Sequence, residues 1–279
     1  MIITAKARIA GVMGWPVAHS RSPRLHNHWL ERYGIDGVYV PLPVRPEDFA
    51  TAARLLPRIG FAGANVTVPH KEAAFAAADR CDPIARRIGA VNTLVVDGDV
   101  LLGHNTDAFG FIESLRADVP DWRGADGPAA VIGAGGAARA VCVALQDAGV
   151  PEIRVVNRTR ARAAALVAAL GAPLVAVDWA DRTTALADAA LLVNTTTLGM
   201  AGQPPLDLAL DRLPVSAVVN DIVYVPLETP LLAAARARGN AVVDGLGMLL
   251  HQARPGFAAW FGRMPDVDAE LRRFVLQQG

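Results

Sequence analysis

The stretch AAVIGAGGAARA, residues Ala129–Ala140, reads as an apolar strand, a glycine-rich turn and the start of a helix. Gly133, Gly135 and Ala138 fit the spacing G-x-G-x-x-G/A. The first glycine permits a tight turn, and the second lets the backbone approach a pyrophosphate that lies on the helix N-terminus. In this strand-turn-helix context the pattern favours a dinucleotide-binding loop over a simple tight turn.

The next strand ends in VVNRTRAR, residues 155–162. An NAD site has Asp or Glu at such a strand end, about 20 residues after the glycines, to bind the ribose 2′-hydroxyl. Here no acidic residue lies between Glu152 and Asp178, and Arg158 and Arg162 follow the strand. Guanidinium groups match the geometry and charge of a phosphate, so the sequence predicts NADP. The alternative is a solvated helix face that happens to be rich in arginine.

A βαβ pattern extends in both directions from this stretch. Short β-branched runs alternate with alanine-rich amphipathic segments, which indicates an open, largely parallel sheet. The segment AVNTLVVDGDVLLG differs, because Asp97-Gly98 signals a hairpin turn between two strands. A polar loop, DVPDWRGADGP, separates the two strand series, and the tail is helical from Leu246 onward. We expect this tail to pack back on the first part of the chain.

We therefore predict an α/β fold with two domains. An N-terminal α/β substrate domain would comprise residues 1–106 and be completed by the C-terminal helices of residues 245–279. Residues 107–244 would form a Rossmann-type NADP-binding domain. The length of 279 residues fits about two domains of ordinary size.

Composition and charge exclude several classes of function. The 27 basic and 27 acidic residues cancel, so no overall charge draws the protein to nucleic acid or to a membrane surface. The N-terminus lacks a signal-peptide pattern and no apolar run is long enough to span a bilayer, so we predict a cytoplasmic protein. Cys81 and Cys142 are expected to be free thiols. His26 and His28 have no third ligand at a suitable spacing, so we predict no metal site.

Polar residues also cluster at strand ends and in loops of the first domain. They are Ser20, Ser22, Asn65, Thr67, Lys71, Asn92, Thr93, Asn105, Thr106 and Asp107. Ligands bind outside the carboxyl ends of parallel strands, and these side chains suit a substrate with several hydroxyls and a carboxylate. Each residue alone also has a simpler explanation. Ser22-Pro23 is a common helix start, and Asn-Thr-Asp is a good N-cap sequence.

Taken together, segments along the chain resemble the shikimate dehydrogenases. In order they are GWPVAHSRSPRLHN, GANVTVPHK, GAVNTL, GHNTDAFGF, GAGGAARA, NRTRARA, NTTTLGM, DIVYVPLETPLL and DGLGMLLHQA. The resemblance runs from about Arg8 to Gly262. It implies a two-domain α/β oxidoreductase that reduces 3-dehydroshikimate to shikimate with NADPH, in the chorismate route to aromatic amino acids. The expected partners are small molecules, without nucleic acid or membrane, and a homodimer is a possible assembly.

The resemblance also implies roles for individual residues. Lys71 and Asp107 would be the catalytic pair, in which Lys71 gives a proton to the developing alkoxide and Asp107 holds its ammonium group. The implied substrate-binding residues are Ser20, Ser22, Thr67, Asn92, Tyr224 and Gln252. The implied cofactor-binding residues are Gly133, Ala134, Gly135, Gly136, Ala137, Asn157, Arg158, Thr159, Arg162, Ile222 and Gly245. Trp15 stands where the family pattern suggests a small or polar residue, which would reshape the pocket near the serines.

Two other functions remain open from the sequence. One is a quinate/shikimate-type paralogous dehydrogenase, acting on a different polyol acid or with NAD. The other is a catalytically silent metabolite-binding regulator on the same fold. Such a regulator would be expected to lack Lys71 or Asp107, and this chain has both.

Overall fold

The computed structural model describes residues 3–277. The strands are β1 (Arg8–Gly14), β2 (Gly37–Pro43), β3 (Phe61–Val66), β4 (Arg80–Cys81), β5 (Thr93–Asp97), β6 (Val100–His104), β7 (Ala129–Ile132), β8 (Ile153–Val156), β9 (Leu174–Val177), β10 (Leu191–Asn194), β11 (Val218–Asp221) and β12 (Ala241–Val243). The helices are α1 (Ser22–Arg32), α2 (Phe49–Leu55), α3 (Lys71–Ala77), α4 (Pro83–Ile88), α5 (Asp107–Asp118), α6 (Gly136–Asp147), α7 (Arg160–Leu170), α8 (Pro230–Arg238), α9 (Gly245–Phe261) and α10 (Ala269–Leu276).

The chain divides into two compact units. The first unit comprises Met1–Thr106 and Gln252–Gly279, and the second comprises Asp107–His251. The second domain boundary predicted from the sequence lies at residue 245, where α9 begins, whereas the division in the structure falls inside that helix. The domain boundaries drawn from the sequence remain a prediction.

The sheet of the first unit has the strand order β2-β1-β3-β5-β6-β4. β1 runs parallel to β2 and β3, while β5 is antiparallel to both β3 and β6. β5 and β6 form the predicted hairpin, in which Asp97 pairs with Val100 around the turn. Because β1 and β3 are parallel, their carboxyl ends point to the same edge of the sheet.

The C-terminal residues of the first unit pack on its sheet. Trp260 is 1% exposed, and its indole N–H donates to the carbonyl of Leu94 at 3.0 Å. Gly63 makes this approach possible, because a Cβ built there would lie 2.3 Å from the indole nitrogen. Trp29 on α1 likewise donates to the Asp266 carbonyl at 3.1 Å. The tail therefore completes the core of this unit.

The sheet of the second unit is fully parallel, with the order β12-β11-β10-β7-β8-β9. Within this unit the chain first forms the central strand β7 and then adds β8 and β9 on one side of it. It then crosses over and adds β10, β11 and β12 on the other side. Strand order thus reverses beside β7, and in open α/β sheets ligands bind at such a reversal. The two sheets with their helices confirm the predicted α/β fold and its Rossmann-type half.

Cys81 and Cys142 are free thiols, as predicted. Burial raises the pKa of the Cys142 thiol to about 12, so this group stays protonated near neutral pH. Across residues 3–277, no helix combines the length and the apolar character needed to cross a bilayer.

Candidate active site and nucleotide-binding edge

A buried hydrogen-bond network lies at the ends of β3 and β5 in the first unit. The Tyr39 hydroxyl donates to Asn65 Oδ1 at 2.6 Å. Asn65 Nδ2 in turn donates to the Asn92 carbonyl at 3.3 Å and to Thr93 Oγ1 at 3.2 Å. Asn65, Asn92 and Thr93 are each at most 5% exposed. Because buried polar groups need partners, this network fixes the orientation of the Asn92 segment.

Asn92 and Gln252 come together through Thr106. Asn92 Nδ2 donates to Thr106 Oγ1 at 3.0 Å and to Gln252 Oε1 at 3.3 Å. The Thr106 hydroxyl donates to the Gln252 carbonyl at 2.8 Å, and its backbone N–H donates to Asn92 Oδ1 at 2.9 Å. The structure thus unites two residues predicted to bind substrate. Thr106 was grouped with the strand-end polar residues but given no function from the sequence, because its contact with Gln252 spans 146 residues.

The predicted residues Ser20, Ser22 and Thr67 lie at the same sheet edge. Past the end of the strands, the N–H of Thr67 donates to the Met13 carbonyl at 2.9 Å and the N–H of Trp15 donates to the Val68 carbonyl at 3.2 Å. These bonds hold the segment after β1 against the segment after β3. Ser20 Oγ accepts from the Ser22 N–H at 3.3 Å, at the start of α1.

Lys71 is the first residue of α3 and is half-buried. The chain reverses into this helix through a turn in which the His70 N–H donates to the Thr67 carbonyl at 2.9 Å. The Lys71 carbonyl accepts from the Val91 N–H at 2.9 Å, so its backbone is tied to the residue before Asn92. The His70 ring is stacked on Phe49, with centroids 4.6 Å apart, which gives it a packing role.

Asp107 is 6% exposed and begins α5 in the second unit. Lys71 belongs to the first unit. Their roles in the reaction remain predictions.

The glycine-rich turn after β7 leaves the start of α6 open. Gly133 has a φ of +117°, and a Cβ built on it would lie 2.4 Å from Thr195 Oγ1, so no other residue fits there without rearrangement. A Cβ on Gly135 or Gly136 would meet nothing within 4 Å, which leaves the N-terminal backbone of α6 open to an approaching group. Ala138 is fully buried where α6 packs on the sheet. These features fit an anion held at the helix N-terminus.

The end of β8 presents the predicted ligands of a 2′-phosphate. Arg158, Thr159 and Arg162 are exposed, while Asn157 is half-buried and its Nδ2 donates to the Thr159 carbonyl at 2.9 Å. Arg160 is engaged elsewhere, with its Nε 2.8 Å from Asp178 Oδ1. Arg158, Arg162 and the open N-terminus of α6 fit NADP. No acidic residue lies between Glu152 and Asp178, so the end of β8 has no carboxylate to bind a ribose hydroxyl.

A buried carboxylate organises the neighbouring strand ends. Asp221 Oδ1 accepts from Asn194 Nδ2 at 3.0 Å and from the Val223 N–H at 3.1 Å, and its Oδ2 accepts from the Thr229 hydroxyl at 2.7 Å. Burial raises the pKa of this carboxyl, and its three donors oppose the rise. Asp221 therefore ties β11 to β10 and to the start of α8.

The segment after Asp221 carries two further predicted residues, Ile222 and Tyr224, which are partly buried. A third, Gly245, is buried at the start of α9 and contacts this segment. The Gly245 N–H donates to the Val223 carbonyl at 3.2 Å, and a Cβ on Gly245 would lie 2.2 Å from the Ile222 carbonyl oxygen. Ile222 and Gly245 are thus brought together by backbone contact. The remaining predicted residues, Ala134 and Ala137, are partly buried in the glycine-rich turn and the first turn of α6.

No group of three or more His, Cys, Asp or Glu side chains in residues 3–277 is placed to hold a metal ion. His26 is fully buried, stacked on Tyr39 with ring centroids 4.0 Å apart. Burial lowers the pKa of His26 to about 3, so the ring is neutral near neutral pH.

Three family models match successive parts of the chain. The shikimate dehydrogenase substrate-binding domain matches residues 12–94, the shikimate/quinate 5-dehydrogenase model matches residues 121–199, and the shikimate 5′-dehydrogenase C-terminal domain matches residues 245–269. The first match covers the strand-end polar residues from Ser20 to Thr93. The second covers the glycine-rich turn and the arginines after β8.

Individual proteins show the same similarity. The shikimate dehydrogenase (NADP(+)) of Paramagnetospirillum magneticum is 67% identical over 275 residues, which are 98% of this chain and 100% of that protein. A solved structure of shikimate 5-dehydrogenase from Thermus thermophilus, in complex with NADP(H) and shikimate, has 40% identity and a TM-score of 0.86, and the alignment covers 96% of this chain and 98% of that one. Quinate dehydrogenase from Corynebacterium glutamicum in complex with NAD has 32% identity and a TM-score of 0.90, with 97% and 99% covered. The chain belongs to the shikimate dehydrogenase family.

Proposed function

We propose that this chain catalyses the reversible, NADPH-dependent reduction of 3-dehydroshikimate to shikimate. The observation that carries the proposal is that the chain has both a polar network at strand ends of the first unit and exposed arginines after β8. The network contains Asn92 and Gln252 in hydrogen-bond contact. Arg158 and Arg162 follow β8, and the N-terminus of α6 is open. The curated relative from Paramagnetospirillum magneticum, which is named for this activity, supports the assignment.

In the first unit, each polar group has a distinct task toward the substrate. Ser20 and Ser22, two residues apart at the start of α1, would donate hydroxyl hydrogen bonds to the carboxylate. Asn92 and Gln252 would bind the ring hydroxyls, and because the network around Thr106 already orients them, little side-chain freedom is lost on binding.

The proton of the reaction is assigned to Lys71. Bound NADPH would supply a hydride to the carbonyl carbon of the substrate. The oxygen then needs a proton, which the Lys71 ammonium would donate and take back in the reverse direction. Asp107 would keep that ammonium charged and oriented.

In the second unit, the chain offers separate groups to the two ends of the cofactor. The backbone of Gly135 and Gly136, at the start of α6, would hold the pyrophosphate. Arg158 and Arg162 would hold the 2′-phosphate, with Thr159 adding a hydroxyl donor. Ile222 and Gly245 would line the nicotinamide side of the site.

The test is a comparison of four substrate and cofactor pairs on the purified protein. Shikimate and quinate are each assayed with NADP and with NAD, and we expect the specificity constant to be highest for shikimate with NADP. The similarity to a quinate dehydrogenase that binds NAD makes quinate with NAD the competing pair. A dominant rate for that pair would overturn the proposal. Binding of shikimate and NADP without turnover would indicate the silent regulator.

Two predictions concern the protein as a whole. A homodimer would show as twice the chain mass in light scattering, and a cytoplasmic location would show by fractionation of cells. Both remain predictions from the sequence.

A further inference from the structure

Arg160 differs from the two arginines that flank it in the sequence. Arg158, Arg160 and Arg162 are all exposed, and all lie within the segment that follows β8. Arg160, at the start of α7, has its Nε 2.8 Å from Asp178 Oδ1. Its charge is therefore compensated by the carboxylate of the residue that follows β9.

Strand register places that carboxylate close to the proposed 2′-phosphate site. β8 and β9 are parallel neighbours, and Val156 pairs with Val177. Asn157 and Asp178 are the next residues along these two strands, so they leave the sheet side by side, about 5 Å apart across the sheet. A negative charge at Asp178 thus lies near any anion bound after β8.

We propose that Asp178 sets the strength of the NADP preference by holding Arg160 in an ion pair, so that of the three arginines only Arg158 and Arg162 act on the 2′-phosphate. This inference rests on the proposed function, since it assumes that NADP binds at the end of β8. Asp178 is a specificity-determining residue that acts through Arg160 and through its own charge.

The size of the effect follows from the exposure of the pair. The side chains of Arg160 and Asp178 are 64% and 50% exposed, so the ion pair contributes little to folding and its loss leaves the fold intact. Between exposed charges about 10 Å apart in water, the Coulomb energy corresponds to roughly a twofold change in affinity for each unit of charge. A phosphate carries up to about two charges. Removing the Asp178 charge should therefore tighten NADP binding by about two- to fivefold.

The experiment measures dissociation constants by isothermal titration calorimetry for NADP and NAD. The variants are Asp178→Asn, Arg160→Ala and the double variant, each at about 0.03 M and about 0.5 M salt. At low salt we expect Asp178→Asn to bind NADP about two- to fivefold more tightly and Arg160→Ala to bind it more weakly by a similar factor. The double variant should return close to the original affinity. High salt should shrink these differences, and NAD binding should change little throughout.

The control is Glu228→Gln. It breaks another exposed ion pair of the second unit, Arg236–Glu228 at 3.0 Å, which lies outside β8, β9 and α7. NADP affinity should be unchanged in this variant. A thermal melt of each protein checks that the fold is retained.

Three outcomes would overturn the inference. They are an unchanged NADP affinity in Asp178→Asn at low salt, an equal shift for NADP and NAD, and a double variant that binds no better than Arg160→Ala. Failure of the proposed function looks different, because the unaltered protein would then bind NAD as tightly as NADP.

Discussion

Lys71 is one of only two lysines in the chain, and the other is Lys6. The remaining basic residues, out of 27 in all, are arginines. Arginine stays protonated in proteins, whereas lysine can release and regain a proton. A chain that uses arginine almost everywhere else thus has lysine where the proposed reaction needs a transferable proton.

Replacement of Lys71 should therefore abolish most of the turnover. We expect Lys71→Ala to reduce kcat by roughly 10²–10⁴-fold, the usual range for a positioned acid or base, with a smaller loss of shikimate affinity. Lys71→Arg retains the positive charge but cannot deliver a proton, so its kcat should fall similarly. Steady-state kinetics check both, with Lys6→Ala as the matched control. If Lys71→Arg turned over at a near-native rate, the proton would have to come from another group.

Arg158 should govern the choice of cofactor. A hydrogen bond from a charged donor contributes about 1.5–3 kcal/mol. Arg158→Ala should thus weaken NADP binding by roughly ten- to a hundredfold, since about 1.4 kcal/mol corresponds to tenfold. NAD binding should change little. Calorimetric titrations at fixed salt measure both constants, and Arg236→Ala, an exposed arginine on α8, serves as the control. Equal losses for the two cofactors would mean that Arg158 stacks on the adenine or supports the fold.

Among the secondary-structure elements, Asp221 connects three. Its carboxylate accepts hydrogen bonds from groups on β10, on the segment after β11 and at the start of α8. An unsatisfied buried donor costs about 1–3 kcal/mol. Asp221→Ala would remove an acceptor from three buried donor groups, of which Asn194 Nδ2 keeps its bond to the Leu198 carbonyl. We expect its free energy of unfolding to fall by about 3 kcal/mol or more. Asp221→Asn retains one oxygen for Asn194 and Val223, so its loss should be much smaller. Urea denaturation distinguishes the two, and equal losses would show that the network does not depend on the acceptor oxygens.

The same carboxylate should give a pH dependence. Burial raises its pKa above the ordinary value of 3.8, so the folded protein holds this proton more tightly than the unfolded chain does. The contribution of Asp221 to stability is therefore greatest below pH 3.8 and declines as the pH rises through the raised pKa. The difference in unfolding free energy between the original protein and Asp221→Asn should therefore decrease as the pH rises above 3.8. A difference that stayed constant with pH would contradict the assignment.

The elements of the second unit could be predicted from the sequence, because its signals are local. The spacing of Gly133, Gly135 and Ala138 and the arginines after β8 predicted a Rossmann-type unit and NADP, in agreement with the family and the names of its curated relatives. The network of the first unit could not be predicted in the same way. Thr106 contacts Gln252 across 146 residues, and neither periodicity nor spacing reports such a contact. The two-residue strand β4 is likewise too short to leave a pattern.

At the scale of the whole molecule, the two units should respond separately to core mutations. Trp260→Phe removes the hydrogen bond to Leu94 and leaves a gap beside Gly63, so the first unit should lose about 2–4 kcal/mol of stability. NADP affinity should stay unchanged, because the proposed cofactor residues lie in the second unit. Chemical denaturation and calorimetric NADP titration measure the two effects. Trp179→Phe, in the second unit, is the reciprocal control and should leave shikimate affinity unchanged. Loss of NADP affinity in Trp260→Phe would show that the units are energetically coupled.

The first unit is assembled from both ends of the chain, and this has a consequence for biosynthesis. Translation delivers Asp107–His251 in full before Gln252 and the residues after it emerge from the ribosome. The parallel sheet of the second unit can therefore fold during synthesis, whereas the first sheet must wait for the indole of Trp260, whose partner Leu94 was made 166 residues earlier. Until then the Leu94 carbonyl and the surface around Gly63 lack the indole that covers them in the finished protein. Chaperones would therefore be needed most while the first unit is still incomplete.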